Sequence, residues 1–428
     1  MSTVPEVITL GCRLNIAESE RIRAMLADER DVVVVNSCAV TAEAVRTTRR
    51  AIRKARRERP DARLLVTGCA ADIEREQLAA MPEVDGLVAN TKKLDPRLYG
   101  TSPRGGGDLR QTGAPSDGLR PPPAASRQFI LSDAAGGVEG RGLATVQHTR
   151  AFVAVQNGCD HSCTFCVIPQ GRGPSRSLTV PQVLAEIEQH LEHGAPEVVL
   201  TGVDVTSWGH DLPDRPPLGR LVRAVLDTFP ELRRLRMSSL DGVEIDPLLF
   251  DLFAGEPRLM PHLHLSLQHG NDLILKRMKR RHLRADAVEL VARLKHARPE
   301  IAIGADLIAG FPTESEAAHA DNLSIVRELG IVHGHVFPYS PRPDTPAARM
   351  PQVDRATVKR RAAELRAETV RVRDAWLDTL VGSQQSVLAE SDGTGYAPSF
   401  ARLTVPEGTG GGAIVTVTPQ RHEKGLLS

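Results

Sequence analysis

Six cysteines, arranged as two groups of three, constrain this chain more than any other feature of its 428 residues. The first three, Cys12, Cys38 and Cys69, each end a short apolar run rich in β-branched residues. Such runs, separated by helical stretches, predict parallel strands whose carboxyl ends meet at one edge of a sheet. The three thiols are therefore expected to converge, although three buried structural cysteines would leave the same pattern.

The second group forms one loop, Cys159-Asp-His-Ser-Cys163-Thr-Phe-Cys166, directly after a predicted strand at 151–156. Three thiolates on one loop can hold three irons of a cubane cluster and leave the fourth iron open to a small chelating molecule. Zinc is the alternative, but a structural zinc site needs four ligands. His161, inside the loop, is as readily a solvent-facing residue as a fourth ligand.

Composition and charge narrow the class of protein. The formal net charge is +1 and aromatic residues are 3% of the chain, so neither a global field nor stacking platforms would dominate nucleic-acid binding. The sequence has no run of 18 apolar residues, and its N-terminus lacks the charged and apolar regions of a secretion signal. We expect a cytoplasmic enzyme with no membrane contact.

From about residue 150 the chain alternates strand and helix six times, which predicts an open barrel of six β/α units. The cysteine loop follows the first strand, at the face where barrels hold their active sites. The segment 262–268 alternates polar and apolar residues, as in a barrel strand with two differently solvated faces. The predicted strands are 151–156, 197–203, 234–240, 262–268, 302–309 and 332–338. The predicted helices are 42–58, 181–193, 218–229, 246–253, 271–297, 314–329 and 354–380.

A three-cysteine loop after the first strand of such a barrel resembles the radical S-adenosylmethionine (SAM) enzymes, in which the open iron binds the amino and carboxylate groups of SAM. The resemblance implies that Phe165 lies near the adenine and that Thr201 and Gly202 bind the methionine amino group. It also implies SAM contacts by Gln268 and by Asp306 on the fifth strand.

A narrower resemblance, to the methylthiotransferases, covers nearly the whole chain. It rests on Gly11-Cys12-Arg-Leu-Asn15-x-x-Glu18-Ser19, Asn36-Ser-Cys38-Ala-Val-Thr, Thr67-Gly68-Cys69 and Ile168-Pro169-x-x-Arg172-Gly173. The bacterial threonylcarbamoyladenosine-tRNA branch is indicated by Gln156-Asn157-Gly158-Cys159-Asp160-His161, Arg172-Gly-Pro-Ser-Arg176-Ser177, Leu200-Thr-Gly-Val-Asp-Val-Thr and Leu275-Lys-Arg-Met-Lys-Arg-Arg-His282. Trp208 and Ser37 depart from the branch, which usually has Tyr and Thr there.

The family resemblance implies an α/β protein with three folded parts. These are an N-terminal parallel α/β (Rossmann-like) methylthiotransferase domain at 1–100, a central partial (β/α)6 radical SAM barrel at 148–380 and a small C-terminal β (TRAM-like) RNA-binding module at 381–428. A simple β extension that caps the barrel is the alternative for the last part. Residues 101–147, rich in Gly, Pro, Ser and Ala, are expected to form a flexible linker, although a surface insertion explains their first half equally well.

The same resemblance implies the reaction. The branch adds a methylthio group to C2 of N6-threonylcarbamoyladenosine beside the tRNA anticodon, using two [4Fe–4S] clusters and SAM. The cluster on Cys159, Cys163 and Cys166 would release a 5′-deoxyadenosyl radical from SAM. The auxiliary cluster on the first three cysteines would hold a sulfur species, which a second SAM methylates. The implied partners are the anticodon stem-loop of tRNA and a small electron donor of the flavodoxin or ferredoxin type.

Three alternatives stay open from the sequence: isopentenyladenosine tRNA as substrate, an aspartate of a ribosomal protein as substrate, and a non-catalytic iron–sulfur RNA-binding sensor. Arginines at spacings of three and four on the 42–58 helix could contact tRNA phosphates or form an ordinary solvated face. They are Arg46, Arg49, Arg50 and Arg53. A second basic cluster comprises Lys276, Arg277, Lys279, Arg280 and Arg281.

Overall fold

The computed structural model describes residues 4–99 and 149–428, and the linker predicted at 101–147 lies outside them. Its N-terminal unit is a four-stranded parallel sheet in the order β1-β2-β3-β4. The elements are β1 (Glu6–Thr9), α1 (Arg13–Met25), β2 (Val32–Ser37), α2 (Ala42–Glu58), β3 (Arg63–Gly68), α3 (Cys69–Ile73), α4 (Arg75–Ala79) and β4 (Gly86–Leu87).

Strand β2 is buried along its whole length because helices cover both of its faces. Alternate side chains pack on opposite sides, against α2 through Ile52 and against α1 through Ile22. Helix α2 begins where the Thr41 side chain accepts a hydrogen bond from the Ala44 amide at 3.1 Å, an N-cap arrangement. The helix predicted at 42–58 is confirmed at both ends.

The central unit is a partial barrel of six parallel strands. Sheets β5-β8-β9 and β10-β11-β12 are joined by parallel bridges from Leu235 to Leu259 and from Leu240 to Leu265. The elements are β5 (Ala151–Ala154), β6 (Gln156–Asn157), α5 (Ile168–Arg172), β7 (Arg176–Ser177), α6 (Val180–Glu192), β8 (Val198–Thr201), α7 (Leu218–Thr228), β9 (Leu235–Met237), α8 (Pro247–Gly255), β10 (His262–Gln268), α9 (Asp272–Arg277), α10 (Arg284–Ala297), β11 (Ala302–Ala309), α11 (Glu316–Leu329) and β12 (Ile331–Pro338).

The predicted helix at 271–297 is in fact two helices. The chain leaves α9 after Arg277 and turns at Lys279, whose φ of 56° is left-handed and cannot continue a helix. The next two residues, Arg280 and Arg281, fold back to ion-pair with Asp241 before α10 begins. A pair of ion-pairing arginines thus interrupts what looked like one long helical stretch.

Strand β10 has one apolar face and one polar face, as the alternation at 262–268 predicted. Leu263 and Leu265 belong to the core between the strands and their helices. His262 and His264, which alternate with them, therefore line the inner surface of the barrel. Helix α1 of the N-terminal unit closes this space, with Ala17 packed against Phe152 and Val199.

After helix α12 (Arg355–Asp378) the chain forms a strand-rich C-terminal module. Its six strands lie in the order β16-β13-β14-β15-β18-β17 and are antiparallel apart from the β15–β18 pair. The strands are β13 (Gln385–Ala389), β14 (Thr394–Tyr396), β15 (Arg402–Thr404), β16 (Ile414–Val417), β17 (His422–Glu423) and β18 (Leu426–Leu427). Phe400 of this module stacks on His262 with the ring centroids 5.2 Å apart, so the module contacts the amino-terminal end of the barrel.

Glu20 on α1 is a carboxylate in an unfavourable place. Burial and the charge of Glu186 raise the pKa of Glu20 to about 7, and the Arg23 charge offsets this only in part. Because its folded-state pKa exceeds its unfolded value, ionisation costs stability as the pH rises from about 4.5 to about 7, and the cost is complete above that range. We expect Glu20→Gln to stabilise the protein by about 1–2 kcal/mol at pH 8, and by progressively less towards pH 5.

Urea unfolding at both pH values measures this difference. Glu188→Gln, at an exposed position of α6, is the matched control and should change stability little at either pH. A Glu20→Gln variant that gains the same stability at pH 5 as at pH 8 would contradict the explanation.

Candidate functional site

The first three cysteines lie at one edge of the N-terminal sheet. Cys38 directly follows β2, Cys69 directly follows β3, and Cys12 precedes α1. Gly11 has a φ of 95°, and a Cβ atom there would lie 2.9 Å from the Cys38 sulfur, so only glycine allows these loops to come so close. Burial and the nearby Cys69 and Cys12 thiols raise the pKa of Cys38 to about 11. The sheet thus brings the three thiols to one place.

The second three cysteines have hydrogen-bond donors directed at their sulfur atoms. The His161 amide donates to Cys159 Sγ at 3.4 Å, and the Ile168 amide donates to Cys166 Sγ at 3.4 Å. The Arg280 guanidinium donates to Cys163 Sγ at 3.6 Å. Such donors stabilise thiolates bound to iron.

Two of these thiols, Cys159 and Cys166, have raised pKa values. Burial, with the charge of Asp204 adding to it, raises the pKa of Cys159 to about 12. Burial, with the Cys163 and Cys69 thiols adding to it, raises the pKa of Cys166 to about 11. A metal cluster would supply the positive charge that these buried thiolates need, so the donor set fits an iron–sulfur cluster.

The two groups of cysteines face a common space between the N-terminal unit and the barrel. Cys69 is close enough to Cys166 for its charge to affect the pKa of that thiol. Asn90 bridges the two units, since its amide nitrogen donates to the Gly171 carbonyl at 2.6 Å and to Cys69 Sγ at 3.9 Å. Helix α3, which begins at Cys69, lies against α5, which follows the cysteine loop.

A buried polar network fixes the two units to each other. Arg172 donates to Glu18 Oε1 at 2.9 Å, to Asn15 Oδ1 at 2.6 Å and to Asn157 Oδ1 at 2.8 Å. Lys93 ion-pairs with the same Glu18, and both partners are nearly inaccessible to solvent. The network joins the Asn15-x-x-Glu18 motif beside Cys12 to the Arg172 motif beside the other cysteine loop.

His161 is partly buried, and its ring faces two carboxylates. Its Nε2 lies 2.7 Å from Asp204 Oδ2, and hydrogen bonds to Asp204 and Glu244 raise the pKa of His161 to about 10. Cys159, His161 and Asp204 offer ligand atoms within 4.8 Å of one another, the spacing of a small metal site. Because Asp204 engages the Nε2 atom of His161, the three sulfurs of the loop are the candidate ligand set.

Of the predicted SAM residues, Phe165 belongs to the cysteine loop itself, and Thr201 and Gly202 lie at the carboxyl end of β8. Phe165 packs edge-on against Phe311, with the centroids 6.4 Å apart. Thr201 is the buried last residue of β8. Gly202 lies against the Gln156 carbonyl, which a Cβ atom would approach to 2.8 Å.

Gln268 and Asp306 belong to two later strands of the barrel. Gln268 ends β10 with a left-handed φ of 68°. Asp306 lies within β11 on the inner surface, where its Oδ1 accepts hydrogen bonds from His264 and His335, each at 3.2 Å. Burial would raise the pKa of Asp306, but these two histidines hold it below its usual range.

Two residues position the site through contacts that the sequence did not predict. Gln156 Oε1 accepts hydrogen bonds from the Val203 and Asp204 amides at 3.1 and 2.9 Å, which ties the loop after β8 to the cysteine loop. Glu314 Oε2 accepts from the Gly310 amide at 2.7 Å and from the Phe311 amide at 3.0 Å. In the sequence, Gln156 is the polar residue that ends an apolar strand and begins a branch motif, whereas Glu314 gives no signal.

The two basic clusters differ in exposure. Arg46, Arg50 and Arg53 are exposed on α2, but each lies beside an acidic side chain, Glu43 for the first two and Glu83 for the third. In the second cluster, Lys276 and Lys279 are exposed, whereas Arg280 and Arg281 are held by acidic side chains beside the cysteine loop. The Arg280 side chain is 8% exposed and binds Asp241, and Arg281 binds Glu244 at 2.5 Å.

Comparisons with known proteins agree with this arrangement. The Radical SAM superfamily matches residues 153–323, and a family described as Uncharacterized protein family UPF0004 matches residues 5–89. A threonylcarbamoyladenosine tRNA methylthiotransferase, MtaB of Rickettsia prowazekii, is 41% identical over 92% of this chain and 90% of its own length. A tRNA-2-methylthio-N(6)-dimethylallyladenosine synthase of Paracoccus denitrificans is 32% identical over 90% of this chain and 85% of its own.

Among solved structures, the radical SAM methyltransferase TsrM of Kitasatospora setae superposes with a TM-score of 0.54 at 15% identity, covering 81% of this chain and 74% of TsrM. This likeness supports the fold. None of the helices in the described parts of the chain combines the length and the apolar character needed to cross a membrane. On its identity to curated relatives across nearly its whole length, the chain belongs to the radical SAM methylthiotransferase family, in the branch of the threonylcarbamoyladenosine tRNA methylthiotransferases.

Proposed function

We propose that this protein is a tRNA methylthiotransferase that converts N6-threonylcarbamoyladenosine beside the anticodon into its 2-methylthio derivative. The observation that carries the proposal is the pair of three-thiol groups facing one space, in a chain 41% identical to MtaB over 92% of its length. The family uses SAM and [4Fe–4S] clusters. Once bound, these cofactors supply the electron, radical and sulfur chemistry that an unactivated aromatic carbon requires.

The chain itself would bind and orient these groups. We assign Cys159, Cys163 and Cys166 to the cluster that holds SAM. Cys12, Cys38 and Cys69 are assigned to the auxiliary cluster.

The SAM adenine would lie beside Phe165 and Phe311, which form an apolar wall, and the Glu314 carboxylate holds the backbone of Phe311 in place. Thr201, Gly202 and Gln268 lie at strand ends suited to the rest of SAM.

For tRNA, we propose that the exposed arginines of α2 and the C-terminal module at 381–428 contact the backbone of the anticodon stem-loop. Arg50 and Arg53 have side chains 74% and 56% exposed, which leaves them accessible to phosphates despite their acidic neighbours. The enzyme would act in the cytoplasm and take its electrons from a flavodoxin- or ferredoxin-type donor.

Mass spectrometry of tRNA nucleosides tests the proposal in cells that lack the gene and then regain it. We expect 2-methylthio-N6-threonylcarbamoyladenosine to vanish on deletion and to return with the wild-type gene, but not with Cys163→Ala. Unchanged tRNA would refute the assignment of tRNA as the substrate. This holds whether the methylthio group is then found on a ribosomal protein or is not found at all. Loss of the 2-methylthio isopentenyl derivative instead would move the protein to the other tRNA branch.

A further inference from the structure

Arg13 belongs to the N-terminal unit, and its side chain places a positive charge at the barrel. It is the first residue of α1 and follows Cys12 directly. Its guanidinium carbon lies 5.7 Å from the ring centroid of Phe400, which stacks on His262 at the start of β10. The side chain therefore extends from the edge that holds the first cysteine group to the inner surface of the barrel.

This charge is only partly compensated by the protein. Within residues 4–99 and 149–428 the Arg13 side chain forms neither a hydrogen bond nor an ion pair. Burial and the charges of Arg236 and Arg150 lower the pKa of Arg13, while Glu197 and Asp306 offset the shift only in part.

Both nearby acids are already bound to other groups. Glu197 accepts hydrogen bonds from Arg236 at 3.0 and 3.2 Å. Asp306 accepts from the two histidines described above. A partly buried guanidinium surrounded by other cations favours an anionic ligand.

A second polar group nearby is also without a partner. His262 is 2% exposed, and neither of its ring nitrogens has a hydrogen-bond partner in the described residues. Burial lowers the pKa of His262 well below its usual value, so the ring is neutral and offers one N–H donor and one acceptor. Buried polar atoms of this kind are normally satisfied, which points to a ligand that completes them.

We propose that Arg13 binds the carboxylate of the threonylcarbamoyl group on the substrate adenosine, and that the protein thereby selects an acidic N6 substituent over a neutral one. The proposal rests on the function proposed above. A threonylcarbamoyl group carries one carboxylate and one hydroxyl, which match the guanidinium of Arg13 and the imidazole of His262. An isopentenyl group has neither, so it would leave Arg13 buried and unpaired, at a cost in affinity.

SAM carries a carboxylate too, but another cation lies closer to its expected place. The Arg280 guanidinium contacts Cys163 of the loop assigned to the SAM cluster. Arg13 belongs instead to the helix that begins beside Cys12 of the other group. The substrate carboxylate is therefore the occupant we assign.

The test measures binding of anticodon stem-loop RNAs to the anaerobically reconstituted full-length protein by fluorescence anisotropy. One RNA carries N6-threonylcarbamoyladenosine and the other carries its methyl ester, which lacks the charge and has one added methyl group. We expect wild type to bind the acid at least about tenfold more tightly than the ester, the gain typical of a charge-assisted hydrogen bond. Arg13→Gln should remove this preference, and Arg13→Lys should keep part of it.

Arg223→Gln, a matched loss of charge on the outer helix α7, should leave the preference intact. Equal affinity of wild type for acid and ester overturns the inference without any variant. The inference is also overturned if Arg13→Gln still prefers the acid over the ester, or if this variant loses affinity for SAM alone. If the wild-type enzyme cleaves SAM but modifies neither RNA, both the proposed function and this inference fail. If the wild-type enzyme modifies the acid RNA but Arg13→Gln keeps the preference for the acid, only this inference fails.

Discussion

Cys163→Ala is expected to abolish both SAM cleavage and product formation, whereas Cys38→Ala is expected to abolish product formation alone. The reason is the division of the thiols between two units. Cys163 lies on the barrel loop beside the predicted SAM residues, and Cys38 lies on the sheet edge of the N-terminal unit. Each variant should lose one cluster, so its iron content should fall from about eight to about four atoms per chain.

The measurement combines iron analysis, 5′-deoxyadenosine formation and nucleoside mass spectrometry on anaerobically reconstituted protein. The two variants are controls for each other, because each removes one sulfur from a group of three. We expect 5′-deoxyadenosine to become undetectable in Cys163→Ala and to stay near the wild-type rate in Cys38→Ala. Loss of SAM cleavage in Cys38→Ala, with the barrel cluster intact by iron analysis, would show that the two groups do not act separately.

The sequence predicts this division well because strand ends are local features. Short β-branched runs before Cys38 and Cys69 indicate buried strands, and parallel strands place their carboxyl ends together whatever the distance along the chain. The polar–apolar alternation at 262–268 likewise indicates which side chains of β10 line the barrel. Regular patterns of this kind follow from backbone geometry alone.

The contacts between the two units could not be predicted in the same way. Arg172 and Glu18 are 154 positions apart, and nothing near either residue indicates the other. In the sequence Arg13 is an ordinary residue at the start of a helix, and its position near the barrel follows only from the packing of α1 against the barrel. Arg280 was counted in a basic surface cluster, although tertiary packing directs it to Cys163. Long-range polar contacts depend on how the units dock, and periodicity carries no information on docking.

Glu18→Gln is expected to cause the largest loss of stability of any single substitution at the junction of the two units. Burial alone would raise the pKa of Glu18, but Lys93 and Arg172 lower it by more than burial raises it. The residue is therefore a carboxylate in the folded protein. Glutamine there would leave two buried cations without their anion, which costs about 3–5 kcal/mol. The wild-type ion pairs lose their stabilising effect as the pH falls and Glu18 protonates, so the difference between the proteins should shrink in acid.

Urea unfolding of the reconstituted proteins measures the loss, and graded variants identify its cause. Arg172→Gln leaves Glu18 paired with Lys93, so it should cost less than Glu18→Gln. Combining Glu18→Gln with Lys93→Met and Arg172→Met removes the stranded cations and should recover part of the stability, since apolar replacements of buried ion pairs are often well tolerated. The control Glu43→Gln removes a carboxylate that is 59% exposed and should change stability little. If the triple variant is no more stable than Glu18→Gln alone, stranded charge is not the cause, and the network acts through the hydrogen bonds of Arg172 to Asn15 and Asn157 instead.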